Sequence, residues 1–174
     1  MKLLPAVVVL VLAAGCQAGP PSPPAPTTYE LPPRPVRPDE TALKLPPVKN
    51  GDTEFTLIGL AAGLSSITGS HTEFPAKGQF VRLRLVVTNT GTSSVLFDTK
   101  RQLLVDDQGV ARPPEEQAML IKRQPGQFDL GHGVRVEFDL YWDIPKDRTP
   151  AAIRAFGGPT ITDMKNLTGT DVKL

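Results

Sequence analysis

Two histidines, a serine beside one of them, two adjacent aspartates and a single cysteine are the residues of this 174-residue chain whose types suit chemistry. A zinc or copper site needs His71 and His132 to converge with an acid. Their settings argue for surface turns instead, since His132 lies between Gly131 and Gly133 and His71 sits in the polar run Gly69-Ser70-His71-Thr72. Ser70-His71 pairs a nucleophile type with a base type, yet Gly63-Leu64-Ser65-Ser66-Ile67 fails the G-x-S-x-G elbow at its last position. Asp106-Asp107 lacks the alternating oxygen donors of a calcium loop, and a tight turn through Asp106-Asp107-Gln108-Gly109 accounts for both acids. The expectation is a chain with no catalytic residue, no metal site and no cofactor.

Cys16 carries a different chemistry. It follows Leu12-Ala13-Ala14-Gly15, which looks like a bacterial lipobox, behind Lys2 and an apolar stretch from Leu3 to Leu12 broken only at Pro5. Together these are the parts of an export signal with small residues before its cleavage point. The apolar stretch is far short of the ~20 residues that span a bilayer. Residues 1–15 therefore read as a lipoprotein signal peptide, and Cys16 as the site of a thioether-linked diacylglycerol that holds the mature chain on the extracytoplasmic face of the cell membrane. Ala13 departs from the Leu or Val usual at its position, and ordinary secretion with cleavage after Ala18 is the rival reading.

Charge excludes some partners. Without Lys2, 18 basic residues face 18 acidic ones, so the mature chain has no electrostatic reason to bind nucleic acid or an anionic membrane surface. With one cysteine, and that one given to lipid, the folded part must be held by its core without a disulfide. Residues 17–48 hold 11 of the 19 prolines, which suits neither helix nor central strand, so 16–48 reads as a lipidated cysteine and an extended linker. At ~3.1 Å per residue such a linker reaches up to ~100 Å. Pro32-Pro33-Arg34-Pro35 has some of the look of a docking ligand for an aromatic groove, though a spacer explains it as well.

Residues 49–174 are left to form one domain, and they read as all-β. Val81, Leu83, Leu85 and Val87 alternate with Arg82, Arg84 and Thr88. Val134, Val136, Phe138, Leu140 and Trp142 alternate likewise with Arg135, Glu137, Asp139 and Tyr141. This is the period of strands with one buried and one solvated face, and Arg82, Arg84 and Arg135 are expected on a solvated outer face. Shorter strands are expected at Glu54 to Leu60, about Leu96 to Phe97, Gln102 to Val105 and Ala152 to Phe156. The tail beyond Gly158 is a weak edge strand or loose. One short helix near 114–122 follows from Pro113-Pro114, Glu115-Glu116 and the apolar Ala118 to Ile121, and such a turn usually covers an open sheet edge. Short strands without βαβ spacing predict an antiparallel sandwich.

Gly78-Gln79-Phe80-Val81-Arg82-Leu83-Arg84-Leu85-Val86-Val87-Thr88-Asn89-Thr90-Gly91 resembles the signature of the telokin-like, immunoglobulin-like extracellular domains of Gram-positive and actinobacterial lipoproteins. Leu104 to Gly109 and Tyr141-Trp142-Asp143-Ile144-Pro145-Lys146 are similar to two later motifs of that family, in order, so the likeness covers about residues 50 to 158. The resemblance implies an immunoglobulin-like β-sandwich on a lipid anchor, similar to the secreted immunogenic antigens of mycobacteria, in a family of largely unassigned function with no catalytic motif to carry over. The functional expectation is a non-catalytic surface lipoprotein that binds a protein, glycan or other envelope component. The alternative is a structural or accessory envelope role, and a metal protein or enzyme ranks third.

Overall fold

The computed structural model describes residues 35–160 and 168–174. Cys16, residues 1–15 expected as a signal peptide, and most of the proline-rich stretch lie outside the described residues. The described part is an antiparallel β-sandwich. Its largest sheet is built on a long hairpin, β3 (Thr53–Thr68) and β4 (Glu73–Asn89), closed by a turn in which the Gly69 amide donates to the Thr72 carbonyl at 2.8 Å. Strand β9 (Arg135–Ile144) pairs with β4 from Gln79↔Ile144 to Thr88↔Arg135. Two short pieces, β1 (Thr41–Ala42) and β2 (Val48–Asn50), pair with the other side of β3. The second sheet has the order β11 (Thr170–Lys173), β10 (Pro150–Ala155), β6 (Leu103–Asp106), β7 (Ala111–Arg112). Strands β5 (Val95–Asp98) and β8 (Gln127–Leu130) form a separate pair.

The alternating residues make the core. Val81, Leu83, Leu85 and Val87 of β4 are fully buried, together with Leu140 and Trp142 of β9, and Leu104 and Ile153 close the interior from the second sheet. Phe97 sits centrally, with ring centroids 6.0 Å from Phe55, 5.4 Å from Phe128 and 5.9 Å from Phe138, distances at which aromatic pairs attract beyond simple burial. The expected strands are present, and the weak tail supplies the edge strand β11. Val134 departs from its expected inward place. It lies in the turn between β8 and β9, where its amide donates to the Gly131 carbonyl at 3.0 Å and its carbonyl accepts from the Asn89 amide at 3.0 Å, and its side chain is 44% exposed.

The helix α1 (Glu116–Ile121) falls inside the expected range and covers the free edge of β9. The Glu115 amide donates to the Tyr141 carbonyl at 2.8 Å, and Gln124 Oε1 accepts from the Asp139 amide at 2.8 Å. Backbone groups that would otherwise invite a foreign strand are thereby occupied.

Two expectations need correction. The domain does not begin at residue 49: Leu43, Leu45 and Val48 pack against the core, and Arg37, Asp39 and Glu40 are ion-paired to β4 and β9. Prolines do not prevent this, because the segment lies across a sheet face and at a sheet edge, where missing amides cost little. The outer face of β4 and β9 is also not solvated, for Arg84 is 5% and Asp139 6% exposed beneath that segment.

Candidate functional site

Three loops and α1 enclose an apolar cleft of about 410 Å³. Its lining includes Pro113 and Pro114 ahead of the helix, Met119 and Leu120 on it, and Pro125 after it, with Thr99 and Lys100 from the 3-10 turn that follows β5. The cleft is locally well fixed. Thr99 Oγ1 donates to the Pro125 carbonyl at 2.9 Å, and the Thr99 amide donates to the Gly126 carbonyl at 3.2 Å. These bonds hold the turn after β5 against the loop that follows α1.

A six-residue helix with four consecutive apolar residues, Ala118 to Ile121, cannot bury them all at 3.6 residues per turn. Ala118 and Met119 go inward, and Leu120 is left 76% exposed. At the rim, Lys100 Nζ lies 2.6 Å from Glu116 Oε1. The hydrogen bond from Lys100 holds the Glu116 carboxyl below its ordinary value, and Glu116 holds the Lys100 ammonium above its own. Lys100 therefore stays a cation and is no nucleophile near neutrality. The arrangement suits binding of an apolar group, with one charge of each sign beside it. Sequence reading missed Lys100, Thr99 and Pro125 as parts of one site, although the unburiable Leu120 was a usable signal.

The residues singled out from the sequence are not drawn into the cleft. His71 and His132 both lie exposed in turns, and His132 Nδ1 contacts the Gly91 carbonyl. No group of three or more His, Cys, Asp or Glu placed to hold a metal occurs among the described residues. Asp106 is buried in its turn, with Oδ1 accepting from the amides of Gln108 at 3.1 Å and Val110 at 2.9 Å. Burial works against its charge, but those amides and Arg112 prevail and hold the carboxyl below its usual range.

Arg82 and Arg84 form a buried ion cluster in place of the expected solvated stripe. Arg82 Nη2 lies 3.0 Å from Asp39 Oδ2 and 3.1 Å from Glu40 Oε1, and Arg84 Nη2 lies 3.0 Å from Glu40 Oε2. Arg37 Nη1 reaches Asp139 Oδ2 at 2.8 Å. Arg135 stands apart at the exposed start of β9, opposite Thr88. Beside the cluster, burial pushes the Tyr141 phenol up to about 12, with Asp139 adding to the rise and Arg82 opposing it.

No helix among the described residues is long and apolar enough to cross a membrane. No family model matches the chain, and no curated protein matches it either. Its fold is similar to solved bacterial structures. With the yjhA protein from Bacillus subtilis the TM-score is 0.54 at 18% identity, covering 74% of this chain and 96% of that one. With a conserved hypothetical protein from Bacillus anthracis it is 0.51 at 14% identity, covering 66% and 87%. With the secreted protein MPT63 from Mycobacterium tuberculosis it is 0.46 at 15% identity, covering 71% and 86%. At such identities the likeness to the two Bacillus proteins speaks to the β fold alone.

Proposed function

We propose that this chain is a bacterial surface lipoprotein, anchored through diacylglycerol on Cys16, whose immunoglobulin-like domain binds an apolar group of a protein or glycan in the cell envelope. The observation that carries the binding reading is the cleft beside α1. It is an apolar hollow of about 410 Å³ with an exposed leucine at its mouth and prolines in its walls. Sites of this size and character are the ones that take ligands, and their few polar groups set orientation. The anchoring part of the reading rests on the lipobox ending at Cys16 and on the proline-rich stretch behind it.

Two experiments test the two parts separately. A photo-cross-linking residue placed at Leu120 in intact cells is expected to give an adduct that the same residue at exposed Lys173 does not. Equal adducts from both positions, or none from Leu120, favour a structural envelope role without a specific ligand. Cys16→Ser is expected to abolish incorporation of labelled palmitate and retention with membranes, and a variant still recovered in the membrane fraction removes the anchor from the proposal.

A further inference from the structure

The segment 35–42 is held to the sheet in a way unlike the rest of the domain. Its side chains at 35, 36, 38, 39, 41 and 42 are exposed, and none of its residues belongs to the apolar core. What attaches it is charge. Glu40 places a fully buried carboxylate between Arg82 and Arg84, Asp39 adds a second contact to Arg82, and Arg37 reaches Asp139. Backbone support is thin: Arg84 Nη2 donates to the Pro35 carbonyl at 2.7 Å, and β1 is a pairing of only two residues with Gly59 and Leu60. The next residues differ in kind, since Leu43 and Leu45 pack against the core and the Leu43 amide donates to the Ile58 carbonyl at 2.9 Å.

We propose that residues 35–42 form an electrostatic latch, which lifts from β4 and β9 as a unit and re-docks while the sandwich stays folded. Docking buries several charges, and the desolvation of buried ions largely cancels their attraction. The cancellation is incomplete in detail, because docked Arg82 Nε, Arg84 Nε and Asp139 Oδ1 are buried without a hydrogen-bond partner. Lifting the latch returns all these groups to water and exposes no apolar surface of its own, so it belongs among the low-cost local openings of a fold. The consequence is for reach and access. Released in extended form, eight residues lengthen the tether by about 25 Å at ~3.1 Å per residue. The same event uncovers Arg82 and Arg84. Neither effect depends on what occupies the cleft; the gain in reach rests on the proposed anchor at Cys16, and the gain in access does not.

Gly59 supplies the seat of the latch. A Cβ at this position would stand 2.8 Å from Glu40 Oε2 and 3.2 Å from Glu40 Cβ, so a side chain there displaces the buried carboxylate from its place between the two arginines. Two variants of the full chain therefore attack the latch independently, Gly59→Ala by volume and Glu40→Gln by charge. Residue-resolved amide hydrogen exchange is the readout. Both variants are expected to raise exchange at Arg37, Glu40 and Ala42 by tenfold or more, while the amides of Leu83, Leu85 and Leu140 keep wild-type protection. The proposal is overturned if the latch amides keep their protection in both variants, or if they lose it only together with those core amides.

Discussion

The Gly157 amide donates to Asn50 Oδ1 at 2.7 Å, and this bond ties the end of β2 in the first sheet to the chain leaving β10 in the second. Asn50 uses its other end as well, with Nδ2 donating to the Thr168 carbonyl at 2.8 Å and to Thr170 Oγ1 at 2.9 Å. One side chain thus satisfies two backbone groups distant from it in sequence, the Gly157 amide and the Thr168 carbonyl, and a side-chain hydroxyl besides. Gly157 permits it, since a Cβ there would fall 2.0 Å from the Asn50 carbonyl oxygen. Asn50→Ala strands a buried amide and a carbonyl, and the expected loss is ~2–3 kcal/mol of unfolding free energy in urea titration. A loss within error of zero means the sheets are joined mainly by side-chain packing.

The cleft makes opposite predictions for neighbouring residues. Met119 is 8% exposed and touches the core, so Met119→Ala is expected to cost ~2–3 kcal/mol. Leu120 is 76% exposed, and Leu120→Ala is expected to change stability by less than ~0.5 kcal/mol. Thermal melting of both variants checks the difference. Leu120→Ala is then the clean variant for binding experiments, because it removes the apolar mouth of the cleft and leaves the fold alone.

The end of α1 contains a correctable strain. Arg123 has φ 51°, the left-handed conformation that a helix-ending residue adopts and that glycine occupies without cost. The Gln124 amide donates back to the Met119 carbonyl at 2.9 Å, which requires this turn. Arg123→Gly is expected to stabilise the protein by ~0.5–1 kcal/mol, less whatever the freer unfolded chain returns. A rise in Tm with unchanged m-value in urea is the expected signature.

Much of the sandwich was legible because alternation is a local signal. The run from Val81 to Val87 names its strand and its core face at once, and the structure buries Val81, Leu83, Leu85 and Val87 completely. The turn residues were equally readable, for Asn89 Oδ1 accepts from the Gly91 amide at 2.9 Å and its Nδ2 donates to the Ser93 and Leu130 carbonyls. What alternation cannot report is whether the second face is covered. Arg82 and Arg84 look solvated from their own strand, and it is Glu40, more than forty residues earlier and joined by Asp39 and the Pro35 carbonyl, that covers them. Proline content hid that partner, since it describes backbone preference and carries no word on where Asp39 and Glu40 point. The cleft was illegible for a related reason: Thr99, Met119 and Pro125 meet only after the β5–β8 pair and α1 have docked.

Tyr141 gives a pH dependence with a definite sign. Its phenol titrates near 12 when folded, against about 10 when unfolded. The unfolded chain therefore gives up this proton first as pH rises, so the stabilising contribution is whole below pH ~10 and is lost progressively between ~10 and ~12. Ultraviolet titration of the phenolate in Tyr29→Phe, which leaves Tyr141 as the sole tyrosine, is expected to show a midpoint well above 10 in the folded protein. A midpoint of about 10 with the fold intact contradicts the burial of Tyr141 beside Arg82 and Asp139.

Deletions from the N-terminal side should divide the proline-rich region by what it touches. Removing residues 17–34 takes away none of the described contacts, and removing 17–42 takes away ion pairs whose partners are rehydrated in the shortened chain, so both forms should melt near the full-length protein. Removing 17–48 also strips Leu43, Leu45 and Val48 from the core and, with Val48, the Val48↔Phe55 pair of β2 and β3, which at ~1 kcal/mol for each half-buried side chain amounts to about 3 kcal/mol. Urea titration of the three forms should therefore show a step between the second and the third, with cooperative unfolding in each. A step already present on removing 35–42 would mean that charge, not apolar packing, fixes the start of the domain.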